Sequence, residues 1–270
     1  MNLRALQRML FRMQLDPDFC RRVLNGESEE VQALGERERT FLRRVDPRKV
    51  GADRNHKRRD QALGNLLGEF ALSFATLPTE LASSGFPASF FSSESFHHCI
   101  RDDGRLPLAL ASHWEDLAAR AGRRRHRAIV RLEAAMVRLR RRELEAVEVE
   151  PGCVALASSV ALIDLPRGTL DFAGALRGAA DEGKPPPDRT WSPDRRLEDV
   201  LLSRRPRGSW RLPEVDAEAL SPAVAGLLRA CAEEPRAAAY RADYARRLDA
   251  EPADIEEFVA SLVSEGVLVA

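Results

Sequence analysis

Apolar residues recur at helical spacing through the first half of the chain and turn to strand-like alternation around Glu150, which predicts a helical region followed by mixed strands and helices. Leu3, Leu6, Leu10 and Met13 form a first stripe. Asp16-Pro17 ends that helix and opens the next, with proline in the first turn, where its missing N–H has no helical partner to lose. Phe19, Val23 and Leu24 extend the apolar face until Asn25-Gly26 stops it. A short helix, Glu36 to Val45, is expected to bury Phe41, Leu42 and Val45, and Asp46-Pro47 restarts the chain. A long helix then runs to Leu77, basic in its first half (Arg54, His56, Lys57, Arg58, Arg59) and apolar in its second (Leu63, Leu66, Leu67, Phe70, Phe74). Two more helices, between His113 and Arg142, break at Gly122, and Ile129, Leu132, Met136 and Leu139 line the apolar face of the second.

Val147 and Val149, then Val154 and Leu156, then Val160, Leu162 and Ile163 predict two strands, and Leu170, Phe172, Ala173 and Leu176 a short helix. Gly183 to Asp188 is a stiff, polar linker. In the last stretch, Leu197–Leu202 and Ser209–Leu212 alternate like strands around the turn Pro206-Arg207-Gly208. Ser221-Pro222 opens a helix with Val224, Leu227, Leu228 and Cys231 on one face. A second helix carries Tyr240, Tyr244 and Leu248. A third carries Ile255, Phe258, Val259, Leu262 and Val263, stops at Gly266 and releases the extended tail Val267-Leu268-Val269. Two strands, three helices and a closing strand are the parts of a winged-helix-like module. The expected fold class is therefore α+β, in three parts: a helical domain over 1–145, a strand-helix segment with a Pro-rich linker over 146–196, and the winged-helix-like module over 197–270.

Charge narrows the classes of partner. The 270 residues hold 42 basic and 42 acidic side chains, so nothing global points to a nucleic acid or an anionic membrane. The most apolar run, Leu63 to Leu77, is interrupted by Asn65 and Glu69 and is too short to span a bilayer. Met1-Asn2-Leu3-Arg4 leads straight into a helix with no secretory pattern, and Cys20, Cys99, Cys153 and Cys231 form no CxxC pair. A cytoplasmic protein with free thiols is expected. One segment is locally basic: Arg123, Arg124, Arg125, Arg127, Arg131, Arg138, Arg140, Arg141 and Arg142 crowd the helix around Ile129. Such runs are ordinarily solvated faces. An acidic partner could also dock there, because the guanidinium fork pairs with carboxylates in bidentate fashion.

Catalytic constellations are scarce. His97-His98-Cys99 groups metal-type ligands, but neighbours on one helix point about 100° apart and do not converge on one ion. Asp102-Asp103-Gly104 reads as a turn, and "RPRGS" is hairpin chemistry rather than a phosphate cradle. The expectation is a non-catalytic chain with no cofactor of its own.

The terminal segments "EDVLLSRRPRGSWRL", "LSPAVAGLLRACAEE" and "DIEEFVASLVSEGVLVA" resemble the peptide-recognition elements of ribosomal peptide modification, such as the peptide chaperone of the pyrroloquinoline-quinone pathway. The N-terminal "LQRMLFRMQLDPDFCRRVL" and "ERERTFLRRVDP", with the middle "PGCVALASSVALIDLPRGTLDFAGAL", resemble the partner subunits of multinuclear non-haem iron-dependent oxidases, as in methanobactin biosynthesis. The stretch Phe86 to Arg105 has no counterpart in that pattern.

The resemblance implies an accessory subunit that captures the leader of a ribosomal precursor peptide and docks on an oxidase, whose iron lies in the partner enzyme. Leader capture in such elements is strand addition to a sheet edge. It implies Trp210 and Leu212 as the edge strand, with Ile255, Phe258, Val259 and Leu262 as the helix side of the groove. The basic faces offer Arg54, Arg58, Arg124, Arg127 and Arg131 for docking. The alternative is a winged-helix DNA-binding regulator, against which the third helix, with Asp254, Glu256, Glu257 and Glu265 and no basic residue, would repel phosphate. A third reading, an enzyme using the His97-His98 region, rests on that cluster alone.

Overall fold

The structure, a computed structural model, describes residues 3–46, 56–78, 88–102, 104–185, 193–205 and 213–270. The chain is α+β, with a helical N-terminal region and small antiparallel sheets toward the C-terminus. It divides into two compact units, Met1–Ala134 and Ala135–Ala270. The boundaries drawn at 145 and 196 follow changes in sequence pattern, whereas this division follows contacts.

In the first unit, α1 (Leu3–Leu15) and α2 (Pro17–Leu24) meet at Asp16, followed by α3 (Glu29–Gln32) and α4 (Glu36–Arg43). Leu6, Met9, Met13, Phe19, Cys20, Val23 and Leu42 form their common core. Phe41, expected inside, is exposed, because α4 turns the adjacent Leu42 inward instead. The long helix expected to reach Leu77 is two helices, α5 (His56–Glu69) and α6 (Ala71–Ala75). They are broken at Phe70, whose φ of −125° and ψ of 42° leave the helical region. The Phe70 ring is fully buried and meets Trp114 edge-on at 5.9 Å. Phe74, also expected in the core, is exposed, and Leu72 and Ser73 are the buried residues of α6.

Next come α7 (Ala88–Phe91), α8 (Glu94–Arg101) and α9 (Leu106–Arg120). Phe90, Phe91 and Phe96 stack at centroid distances of 5.2–5.5 Å. Gly122, at φ +65°, supplies the left-handed residue between α9 and α10 (Arg124–Arg140).

The second unit contains two three-stranded antiparallel sheets. One has the order β2 (Val160–Pro166), β3 (Leu197–Arg205), β4 (Glu214–Ala219), with α11 (Thr169–Asp181) between β2 and β3 in sequence. The other has the order β5 (Arg236–Ala237), β1 (Cys153–Leu156), β6 (Leu268–Val269). Val147 and Val149, expected in a strand, lie in irregular chain, and the turn closed by Cys153 N–H to Glu150 C=O starts β1 only at Cys153.

The hairpin also differs from expectation. Ser209–Leu212 lies outside the described residues, the partner of β3 is β4, and β3 pairs on its other side with β2. The terminal helices form as predicted: α12 (Pro222–Glu233), α13 (Ala238–Leu248) and α14 (Pro252–Ser264). The Ser221 hydroxyl accepts from the Val224 N–H at 3.3 Å, which caps α12. Gly266, at φ +72°, ends the last helical turn before β6.

The run α12, β5, α13, α14, β6 is the helix–strand–helix–helix–strand order of a winged helix. Its sheet is completed by β1, which arrives from some eighty residues upstream of β5. Val154, Val160, Leu227, Leu228, Tyr244, Ile255, Val259 and Leu268 meet in one core.

Candidate functional site

Two places concentrate chemistry, one in each unit. In the helical unit Asp16, fully buried, is the N-cap of α2. It accepts from the Asp18 and Phe19 N–H groups at 3.1 Å each, from the Ser92 hydroxyl at 3.1 Å and from His97 Nε2 at 2.9 Å. Burial by itself would push this carboxyl up. The hydrogen bonds from His97, the Phe19 N–H and Ser92 outweigh burial and hold it below its ordinary value. Arg12, also buried, lies over the Phe19 ring at 3.7 Å and donates to Glu30 at 2.6 Å. Arg12, Glu30, His97 and Arg101 border a cavity of about 160 Å³.

His97 and Ser92 both bond the same carboxylate. A nucleophilic site would instead chain hydroxyl to imidazole to carboxylate. His98 points elsewhere, toward Glu94 at 3.3 Å and Arg101 at 2.7 Å. Burial and the nearby Asp102 push the Cys99 thiol up to about 11, which leaves it protonated and unreactive at neutral pH. Among the described residues no group of three or more His, Cys, Asp or Glu side chains is placed to hold a metal ion.

Two further buried polar groups are structural. Glu133 of α10 accepts from the Leu72 and Ser73 N–H groups at 3.0 and 2.7 Å, capping the start of α6. His126 meets Thr76 Oγ1 at 3.2 Å and packs on Trp114, and burial lowers its pKa to about 4.

Of the arginines expected to dock a partner, Arg54 lies outside the described residues. Arg58 donates to Gln14 at 2.8 Å. Arg124, Arg127 and Arg131 are exposed at i, i+3 and i+7 of α10, so they share a face. Arg127 and Arg131 share one carboxylate, Glu115, at 3.7 and 3.6 Å.

In the second unit, Trp210 and Leu212 lie outside the described residues. Ile255, Val259 and Leu262 are buried in the module core. Phe258 is half-buried and packs on the rim of that core, as do Val263 and Val269. Of the helix side predicted for a groove, Phe258 alone keeps substantial exposure. Three basic side chains of α13 and its approach are engaged within the module, while Arg247 is exposed. Arg236 donates to Ala230 C=O at 3.0 Å, Arg241 to Glu256 at 3.0 Å and to Gly152 C=O at 3.2 Å, and Arg246 to Asp243.

Sequence reasoning missed a clamp. Asp164 and Asp199 sit directly opposite each other on β2 and β3, and Arg229 of α12 bonds both. Two carboxylates in register repel, and the guanidinium between them turns that repulsion into an anchor of helix on sheet. The signal lay in one Asp on each strand, Asp164 and Asp199, legible only once their register is known. Among the described residues no helix is long and apolar enough to cross a membrane. No protein-family model matches the chain, and no curated protein matches it.

Proposed function

We propose that this chain is a non-catalytic accessory subunit of an enzyme complex: it binds the leader of a ribosomally made precursor peptide and presents it to an iron-dependent oxidase in the cytoplasm. The observation that carries the reading is Phe258, left half-buried on the rim of a module whose core is already filled by Ile255, Val259 and Leu262, with half-buried Val269 on the terminal strand β6. Apolar surface beside sheet edges suits an extended peptide, because main-chain bonds give affinity and side-chain pockets give register. The Arg124, Arg127 and Arg131 face is the surface offered to an acidic patch on the oxidase. Oxidation belongs to the iron of that partner, and this chain contributes positioning, which removes much of the entropic part of a barrier.

The test is co-purification with a candidate iron-dependent oxidase and its candidate precursor peptide, then calorimetric titration of that precursor into this chain alone. Submicromolar binding that maps to the leader supports the reading. Absence of binding with and without the oxidase would sink it. Salt-sensitive binding to duplex DNA would move the assignment to a regulator.

A further inference from the structure

Hydrogen-bond parity decides which way each backbone group of an antiparallel sheet points. Alternate residues exchange both bonds with one neighbouring strand, and the residues between turn both groups away from it. Arg204 N–H donates to Ser159 C=O at 2.9 Å at one end of the β2–β3 ladder, and Arg167 N–H to Arg196 C=O at 2.9 Å at the other. With Ile163 opposite Val200, the residues of β2 bonded to β3 are then Ala161, Ile163 and Leu165. Val160, Leu162, Asp164 and Pro166 face the outer edge. The bond from Leu220 N–H to Asp199 C=O, 2.8 Å, gives the matching parity on the far side, where β4 turns Val215, Ala217 and Ala219 outward.

These two edges are guarded differently. On β4 every second residue, Glu214, Asp216 and Glu218, is acidic and exposed, a charge pattern that deters an added strand. On β2 the Val160 N–H folds back to Ala157 C=O at 3.2 Å, and Pro166 has no N–H. Between them Leu162 and Asp164 hold two N–H and C=O pairs, about 6.8 Å apart along the strand. No backbone group among the described residues takes them up. Leu162 and Ile163 are half-buried, and Leu162 packs on the rim of the terminal core. The one charged residue of β2, Asp164, is drawn into an ion pair with Arg229, which it shares with Asp199.

We infer that the Leu162–Asp164 edge of β2 is the acceptor for an added peptide strand. This rests on the leader-binding reading above and names its site. The occupant is an extended leader segment whose N–H and C=O groups alternate at the spacing of Leu162 and Asp164, with an aliphatic side chain beside Leu162. A second copy of the chain fits poorly, since pairing over so few residues buries far less than the roughly 1,200 Å² of a stable interface.

The probe is a synthetic peptide of the leader half of the candidate precursor. Backbone amide exchange is followed by nuclear magnetic resonance on the full chain, with and without the peptide. Slowed exchange at Leu162 and Asp164, with Val215, Ala217 and Ala219 unchanged, is the expected result. In calorimetry, Leu162→Pro removes an N–H that β3 does not use and is expected to weaken binding about tenfold or more. Ala217→Pro, the matching change on β4, leaves affinity unchanged.

Binding lost in Ala217→Pro but kept in Leu162→Pro would move the acceptor to β4 and overturn the inference. Binding with no protection at either edge overturns it while leaving leader capture intact. No binding to the wild-type chain overturns both. Peptide-free dimerisation abolished by Leu162→Pro would make a second copy the occupant, again overturning it. The exchange map needs no variant, so it decides the assignment even if Leu162→Pro does not fold.

Discussion

In the helical unit charged side chains are drawn inward and engaged by backbone, whereas in the second unit backbone is left open and charged side chains stay outside. Asp16 caps α2 and Glu133 caps α6, each a buried carboxylate receiving two N–H groups. The second unit shows the reverse: its paired charges, Arg229 with Asp164 and Asp199, lie at the surface, and among the described residues the outer strands of its two sheets pair on one side only. Helices satisfy their own interiors and need help only at their ends, so short helices recruit acids from elsewhere. Sheets satisfy neighbours sideways and remain open wherever the last strand stops. The difference places stabilising buried acids in the first unit and leaves strand edges, where we propose binding, in the second.

The comparison breaks most sharply on α14. Val259→Asp would place a carboxylate in the terminal core and is expected to cost about 4 kcal/mol or more, seen as loss of cooperative urea unfolding of that unit. Phe258→Asp, one residue earlier on the rim, should cost about 1 kcal/mol and abolish leader binding; equal destabilisation by both would place Phe258 in the core. Glu133→Ala leaves the Leu72 and Ser73 N–H groups unpaired and buried, an expected loss of about 3 kcal/mol by urea titration. A neutral result there would mean that α6 does not need its remote cap.

His126 predicts a pH dependence of similar size. In the unfolded chain it takes up a proton as pH falls through 6.5, and in the folded chain only near 4. Unfolding is therefore favoured progressively across that window and the loss levels off below it, at about 3 kcal/mol. Burial, followed by the Arg120 charge, lowers His113 in the same direction. Asp16 acts in the same direction at lower pH: its pKa is depressed, so its contribution persists above 3.8 and is lost as pH falls through the lowered value. Stability measured between pH 7 and 4 in wild type and His126→Gln isolates the histidine, and parallel curves would discard the assignment.

The smallest effect is expected at the surface clamp. Arg229→Ala removes a pairing that is about half exposed and should cost no more than about 1 kcal/mol in chemical denaturation. A larger loss would mean that the opposed Asp164 and Asp199 carboxylates disrupt the β2–β3 register.

Residues close in sequence carried their own instructions. The 3.6-residue periodicity of Leu227, Leu228 and Cys231 and of Ile255, Val259 and Leu262, the Ser221-Pro222 start and the Gly266 stop each act within one or two helical turns. Those elements, and the change from helical to mixed character, were readable from the sequence alone. The break at Phe70 depends on Glu133, some sixty residues later, and the third strand of the terminal sheet on β1, some eighty residues before β5. β4 escaped detection because Glu-Val-Asp-Ala-Glu-Ala has little strand propensity and is held by β3. Phe258 and Val259 are both apolar and adjacent, and only the packed fold decided which faces the core. Local hydrogen bonds and side-chain period determined the elements; register, remote caps and the open edge of β2 required partners that sequence distance conceals.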